Sequence, residues 1–219
     1  SIFTRLLKNE KILSCFYIME GVSMKLLSIL STIFICMQLS TLAEAKTPPL
    51  YGEKVTVKME TSYGNIILEL NNKKAPVSVK NFLSYIKSGF YKGTIFHRVI
   101  KSFMIQGGGF TKELERKTTM DKIKNEADNG LSNEVGTIAM ARTGEIHSAT
   151  SQFFINVNDN ANLNHTSKNP RGFGYAVFGR VTKGMPVVNK IKLAKTTRKS
   201  GHANFPIKPI VIKNISIVK

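Results

Sequence analysis

From residue 54 the chain alternates apolar and polar positions. Val55, Val57 and Met59 point one way, and Lys54, Thr56 and Lys58 the other. Tyr63-Gly64-Asn65 supplies a turn, after which Ile66, Leu68 and Leu70 resume the alternation. Period two on both sides of a turn predicts a hairpin. The period then changes. Residues 71–75 are polar loop, Pro76 suits the first turn of a helix, and Val79, Phe82, Leu83, Ile86 and Phe90 recur at helical spacing, with Gly89 and Gly93 flanking the exit. Short strand-like runs follow at 95–100, 103–106, 137–141, 152–157 and 175–181, separated by long polar loops at 111–134, 142–151 and 158–174. Residues 184–194 read as a second helix, with Met185, Val188 and Ile191 on one side and Pro186 in its first turn. Residues 195–209 read as loop, and 210–218 as a closing strand. Many short strands with two helices predict an antiparallel all-β barrel or sandwich, and the pattern alone does not separate the two.

The residues before 46 follow a different logic. Met24 and Lys25 form a short basic start, 26–42 is mostly apolar, and Ala43-Glu44-Ala45 gives a small-x-small ending. This layout predicts a cleavable signal peptide over 24–45, with the mature protein starting at Lys46. Ser28, Ser31, Thr32, Gln38, Ser40 and Thr41 interrupt the apolar run, which disfavours a permanent span. Ile35 precedes Cys36 where a lipoprotein anchor needs a small residue. Residues 1–23 read as an upstream segment outside the fold, and 46–219 as one domain. Cys15 and Cys36 both precede the predicted cut, so the mature chain is expected to have neither a disulfide framework, nor a thiolate metal site, nor a cysteine nucleophile.

Charge adds a question about partners. The chain carries 32 basic and 14 acidic residues, +18, of which 46–219 hold 28 and 11, +17. Such an excess raises nucleic acid, anionic lipid or acidic protein as partners. The lysines are scattered, with no dense basic tract and no interleaved aromatic run for stacking bases, so a solvated basic surface is the favoured reading and no specific nucleic acid is expected. His147, His165 and His202 lack metal-ligand spacing and read as surface loop residues. His97 reads as a structural, hydrogen-bonded histidine. Gly107-Gly108-Gly109 is followed by no Gly-Lys-Ser/Thr and reads as a tight turn, not a phosphate loop. Ser148 and Ser151 lie in no nucleophile elbow.

The chemistry lies in the strands. Gln152 and Phe154 share one strand face while Phe153 and Ile155 share the other. Arg98 alternates with His97 and Val99, and Met104 shares a face with Gln106. An arginine beside Phe, Met and Gln makes an apolar pocket with a few fixed donors.

Several blocks in order resemble one family. They are Phe96-His97-Arg98-Val99-Ile100-Lys101-Ser102-Phe103-Met104-Ile105-Gln106-Gly107-Gly108, Asn125 to Leu131, Gly136 to Thr143, Ser148 to Val157, and Gly174 to Val181. Together they resemble the cyclophilin-type peptidyl-prolyl cis-trans isomerases, nearest the bacterial periplasmic branch, from about Val55 to the C-terminus. The resemblance implies an eight-stranded antiparallel closed barrel capped by two helices, with the substrate pocket on its outer face. It implies rotation about X–Pro bonds in exported proteins, in the periplasm, by a monomer without cofactor, metal or stable membrane anchor, acting on proline-containing polypeptides. It assigns catalysis to Arg98, the proline pocket to Phe103, Met104, Phe154 and Leu163, and substrate backbone binding to Gln106. Ala141 and Arg142 match the edge that grips the residue before proline, chiefly through main chain, and Gln152 matches a pocket wall. Tyr175 stands where many members carry His, and Asn162 where others carry Trp or Phe, so cyclosporin binding is expected to be weak. A second function class is a proline-segment-binding module whose catalysis is incidental.

Overall fold

The structure is a computed structural model, and it describes residues 52–218. The two units expected upstream, 1–23 and 24–45, lie outside the described residues, as do both cysteines. The predicted hairpin is β1 (Lys54–Thr61) and β2 (Gly64–Asn71), turning at Ser62 and Tyr63. The first helix, α1, is Pro76–Lys87. Then come β3 (Thr94–Ile100), β4 (Met104–Thr111), β5 (Thr137–Met140), β6 (Phe153–Asn156) and β7 (Val177–Lys183). The second helix, α2, is Met185–Lys192, and β8 (Thr196–Lys199), β9 (His202–Pro206) and β10 (Ile212–Ile217) complete the order.

Eight strands form one antiparallel sheet in the order β10-β1-β2-β7-β5-β6-β4-β3. Its ends meet through an Ile95–Val211 bridge, with Phe96 N donating to Ile210 O and Gly93 N to Ile212 O, both at 2.9 Å. The sheet is therefore a barrel, which leaves no long strand edge open to other chains. Register explains why it closes around these residues. Val99, Ile105, Ile155, Ile138, Gly179, Leu70 and Val55 are paired successively across seven strands. Apart from the glycine they all belong to the main core, together with Phe82 of α1 and Val188 and Ile191 of α2. Phe82 meets the rings of Tyr91, Phe153 and Phe178 at centroid distances of 5.1, 5.5 and 5.2 Å, fixing α1 on the barrel.

Two expected loops are structured. Gly107-Gly108-Gly109 is not a turn but the middle of β4, where the register against β3 shifts. The strand bulges there because Gly108 adopts φ +83°, a conformation costly for any residue with a Cβ. Residues 195–209 contain the β8–β9 hairpin, which pairs apart from the barrel sheet. Its strands are short and polar, and β8 is exposed throughout, so no apolar alternation marks it in the sequence. The 111–134 loop is irregular but pinned. Ile123 N donates to Ala149 O (2.9 Å), and the Glu126 carboxylate accepts from Val77 N, Ser78 N and Ser78 Oγ at 2.7–3.0 Å. It caps α1, whose own N-cap, Ala75, supplies no side-chain bond. Among the described residues no helix is long and apolar enough to cross a membrane.

Candidate active site

The same pairing that builds the interior builds a second surface outside. Arg98, Gln106, Phe154, Ala139 and Val177 are successive partners across β3, β4, β6, β5 and β7. Side chains alternate along each strand, so this row faces away from the main core. Met104, Ala139, Phe154 and Val177 bury one another there as a separate apolar cluster, with Phe103, Leu163 and Tyr175 packed around it. Above the cluster opens a pocket of about 290 Å³ lined by Arg98, Phe103, Met104, Gln106, Ala141, Arg142, Phe154, Leu163 and Tyr175. Nine of the ten residues singled out in the sequence thus meet at one place. The tenth, Gln152, lines an adjoining pocket of about 230 Å³ that shares Gln106, Ala141 and Arg142.

Gln152 still belongs to the site through hydrogen bonds. Arg98 Nη1 donates to Gln106 Oε1 (3.4 Å), and Gln106 Nε2 donates to Gln152 Oε1 (3.0 Å). A guanidinium only donates, so Gln106 must turn its oxygen to Arg98 and its amide to Gln152. The relay orients Arg98 from behind and leaves the rest of its fork unspent. The bulge serves this relay: a Cβ at residue 109 would lie 2.6 Å from Gln152 Cγ, so the bare backbone of Gly109 makes the room that Gln152 occupies. Arg142 is held differently. Its guanidinium donates to the carbonyls of Gly174 (2.9 Å), Thr143 (2.9 Å) and Pro170 (3.1 Å) and lies 4.8 Å from the Tyr175 ring centre. It is a wall, not a free charge. Tyr175 in turn packs edge-on to Phe154, centroids 5.7 Å apart.

The walls rest on three asparagines, of which sequence reading left Asn133 and Asn160 in loops and put Asn156 near the end of a strand. Asn160 Nδ2 donates to Phe103 O (2.8 Å) and to Asn156 Oδ1 (2.6 Å). Asn156 Nδ2 donates to Asn133 Oδ1 (3.1 Å) and Thr137 Oγ1 (2.9 Å), and Asn133 Nδ2 reaches Leu163 O (3.2 Å) and Tyr175 O (3.3 Å). Asn133, Asn156 and Asn160 are all buried. One network therefore fixes the backbone of three pocket walls. Its only signal in the sequence is Asn156, a polar residue two positions from Phe154 in a strand that is otherwise apolar from Phe153 to Val157.

Asn162 is exposed on a single 3-10 turn, Ala161–Leu163, directly before the Leu163 wall. His97 points away from Arg98. Its ring packs on Phe110 and His202 and is hydrogen-bonded to the Ile95 backbone, as expected of a structural histidine, while its Nδ1 has no partner. Burial, with His202 nearby, holds its pKa down at about 4. His202 is on β9 and partly buried, not in a surface loop. His165 Nδ1 is bonded to Phe173 O at 2.9 Å, and His147, though exposed, accepts from Asn125 N at 3.1 Å through Nδ1.

Comparison with known proteins places this arrangement. The sequence profile described as "Cyclophilin type peptidyl-prolyl cis-trans isomerase/CLD" matches residues 56–217. A peptidyl-prolyl cis-trans isomerase of Streptomyces antibioticus is 60% identical over 163 residues, covering 74% of this chain and 98% of its own. Isomerase A of Dickeya dadantii is 59% identical, with 74% and 84% covered, and isomerase B of Escherichia coli K12 is 50% identical, with 74% and 98% covered. Among solved structures, a Cryptosporidium parvum cyclophilin-type isomerase crystallised in the presence of the dipeptide Ala-Pro superposes with a TM-score of 0.62 at 29% identity, covering 75% of this chain and 99% of that one. The described fold and these matches agree, and the chain belongs to the family of cyclophilin-type peptidyl-prolyl cis-trans isomerases.

Proposed function

We propose that the outer-face pocket holds the prolyl ring of a proline-containing polypeptide and that Arg98 is the catalytic residue for rotation about the X–Pro bond, in proteins exported to the periplasm. The observation that carries this reading is the meeting of Arg98 with an apolar floor of Met104 and Phe154 in one pocket. Rotation breaks no σ bond. It must lower a barrier of roughly 18–20 kcal/mol that arises from amide resonance. In the twisted amide the resonance is lost, and the proline nitrogen becomes pyramidal and able to accept a hydrogen bond. A guanidinium, permanently charged and only a donor, suits that nitrogen. The twisted amide is also less polar than the planar one, so the apolar floor disfavours it less. A millionfold acceleration asks for about 8 kcal/mol of such differential stabilisation. One charge-assisted bond, a dry floor and held substrate carbonyls supply terms of that order.

On this reading Phe103, Leu163 and Tyr175 flank the ring, and Gln106, with Ala141 and Arg142, holds the peptide on either side of it. The relative solved in the presence of Ala-Pro supports a prolyl ligand for this chain as well. Exchange NMR on a proline tetrapeptide reports affinity and interconversion rate together. Arg98→Ala should lower the rate roughly a hundredfold or more while affinity changes little. Arg98→Lys should be impaired too, because an ammonium lacks the planar fork. A folded Arg98→Ala that isomerises at the parent rate refutes the mechanism. Equal loss of rate and binding would make Arg98 an anchor and favour the binding module.

A further inference from the structure

The charge of this chain is unevenly placed. Beyond Asp159 there is no Asp or Glu, while Lys and Arg occur twelve times. The ion pairs among the described residues all lie earlier: Lys54–Glu69, Lys58–Glu60, Lys73–Glu53, Lys112–Glu113 and Lys122–Glu145. Within this cationic part sit the two most exposed large apolar side chains among the described residues, Leu193 (60%) and Ile207 (58%). The fold brings them together. Leu193 ends α2, two residues before Lys195, and Ile207 N donates to Lys195 O at 2.9 Å. A shallow cleft of about 150 Å³ lies beside them, lined by Tyr63, Ala194, Lys195, Ile207 and Lys208. Lys190 and Lys192 stand in the last turn of α2. None of these residues lines the isomerase pocket.

We propose that this face docks the protein reversibly on an anionic lipid surface. Exposed apolar side chains ringed by lysines match the boundary between acyl chains and acidic headgroups, where the apolar side chains enter and the ammonium groups stay at the phosphate level. The cations that line the cleft, Lys195 and Lys208, and those of the last turn of α2, Lys190 and Lys192, are lysines, compact charges on flexible stems that suit a diffuse field of phosphates better than fixed carboxylates. The cleft is too shallow to seat a row of peptide side chains, which disfavours an acidic polypeptide as occupant. The residues of this face are distinct from those that line the substrate pocket.

The test is partition of the full chain onto phosphatidylcholine vesicles with and without phosphatidylglycerol. The gain caused by the anionic lipid, compared between the parent and its variants, is the readout, since all of them share the N-terminal run and its contribution cancels in the comparison. The gain should shrink with added salt. Lys195→Glu with Lys208→Glu should reduce it more than about tenfold, each lysine near such a surface being worth about fivefold. Leu193→Ser with Ile207→Ser should reduce it several-fold, and neither pair should change isomerase turnover. Lys92→Glu with Lys101→Glu, equal in charge change but elsewhere on the surface, should leave most of the gain. The proposal is overturned if the control pair removes as much as the Lys195 and Lys208 pair, for then net charge alone drives binding. It is equally overturned if the serine pair has no effect, or if soluble polyglutamate binds this face more tightly than the vesicles do.

Discussion

A buried imidazole refuses a proton, and His97 shows what that does to the whole chain. Its pKa is about 4 in the folded protein against about 6.5 in an unfolded chain. Between those values the unfolded chain takes up a proton that the folded one excludes. Stability attached to this group is therefore intact above about pH 6.5 and falls as pH drops toward 4, by on the order of 2–3 kcal/mol in all. Thermal melts at pH 7 and 5 should show the loss, and His97→Gln should flatten that part of the profile; an unchanged slope would remove His97 as its source. At Asn162 the concern is what is missing. Trp and Phe are both larger and apolar, and either would extend the Leu163 wall, whereas the exposed amide leaves that side of the pocket open. We propose that cyclosporin binding is correspondingly weak, and Asn162→Trp should tighten it by about tenfold or more, the scale of one well-packed aromatic contact. Calorimetric titration decides this, and tight binding by the parent protein would show the ring to be dispensable.

Among the elements, α1 depends on a residue 50 positions further along the chain from its start. With Ala75 at its N-cap, its first amides are satisfied by the Glu126 carboxylate, which also holds Ser78 Oγ. Bonds to a charged acceptor are the stronger kind, and the carboxylate also meets the positive end of the helix. Glu126→Ala should cost about 1–2 kcal/mol and lower Tm by roughly 2–6 °C, with Glu126→Gln between the two; a Tm unchanged in both would mean that water replaces the cap at no cost. This partnership also shows where sequence reading stops. The β1–β2 hairpin, α1, the barrel strands and α2 follow from period and punctuation, because each buries a face that its own residues declare. The Glu126 cap and much of the asparagine network are made between segments distant in sequence, and no local period encodes them; the bulge at Gly108 is local, but a run of glycines reads equally well as a turn. The β8–β9 hairpin escapes notice for another reason: β8 is exposed throughout and in β9 only the adjacent Phe205 and Pro206 are buried, which makes no alternating pattern. The pocket residues were legible only as a set: Arg98 alone is an unremarkable strand arginine, and Met104 or Phe154 alone an ordinary core side chain.

For the whole molecule, we propose that the chain works after export. Protein recovered from a cell envelope should then begin at Lys46, which N-terminal sequencing can read; an exported form that keeps Met24 would refute the cleavage. Export also gives the closing seam of the barrel a consequence in time. The segment that joins the free sides of β1 and β3 comes after every other strand in chain order: β10 pairs with β1, while Ile210, Val211 and Ile212 reach the residues around β3. A chain that emerges N-terminus first thus presents seven barrel strands with two unsatisfied edges until its final ten or so residues appear. Through that interval the cylinder cannot seal, its long-range pairings are still unmade, and the exposed strand edges of β1 and β3 are open to mispairing.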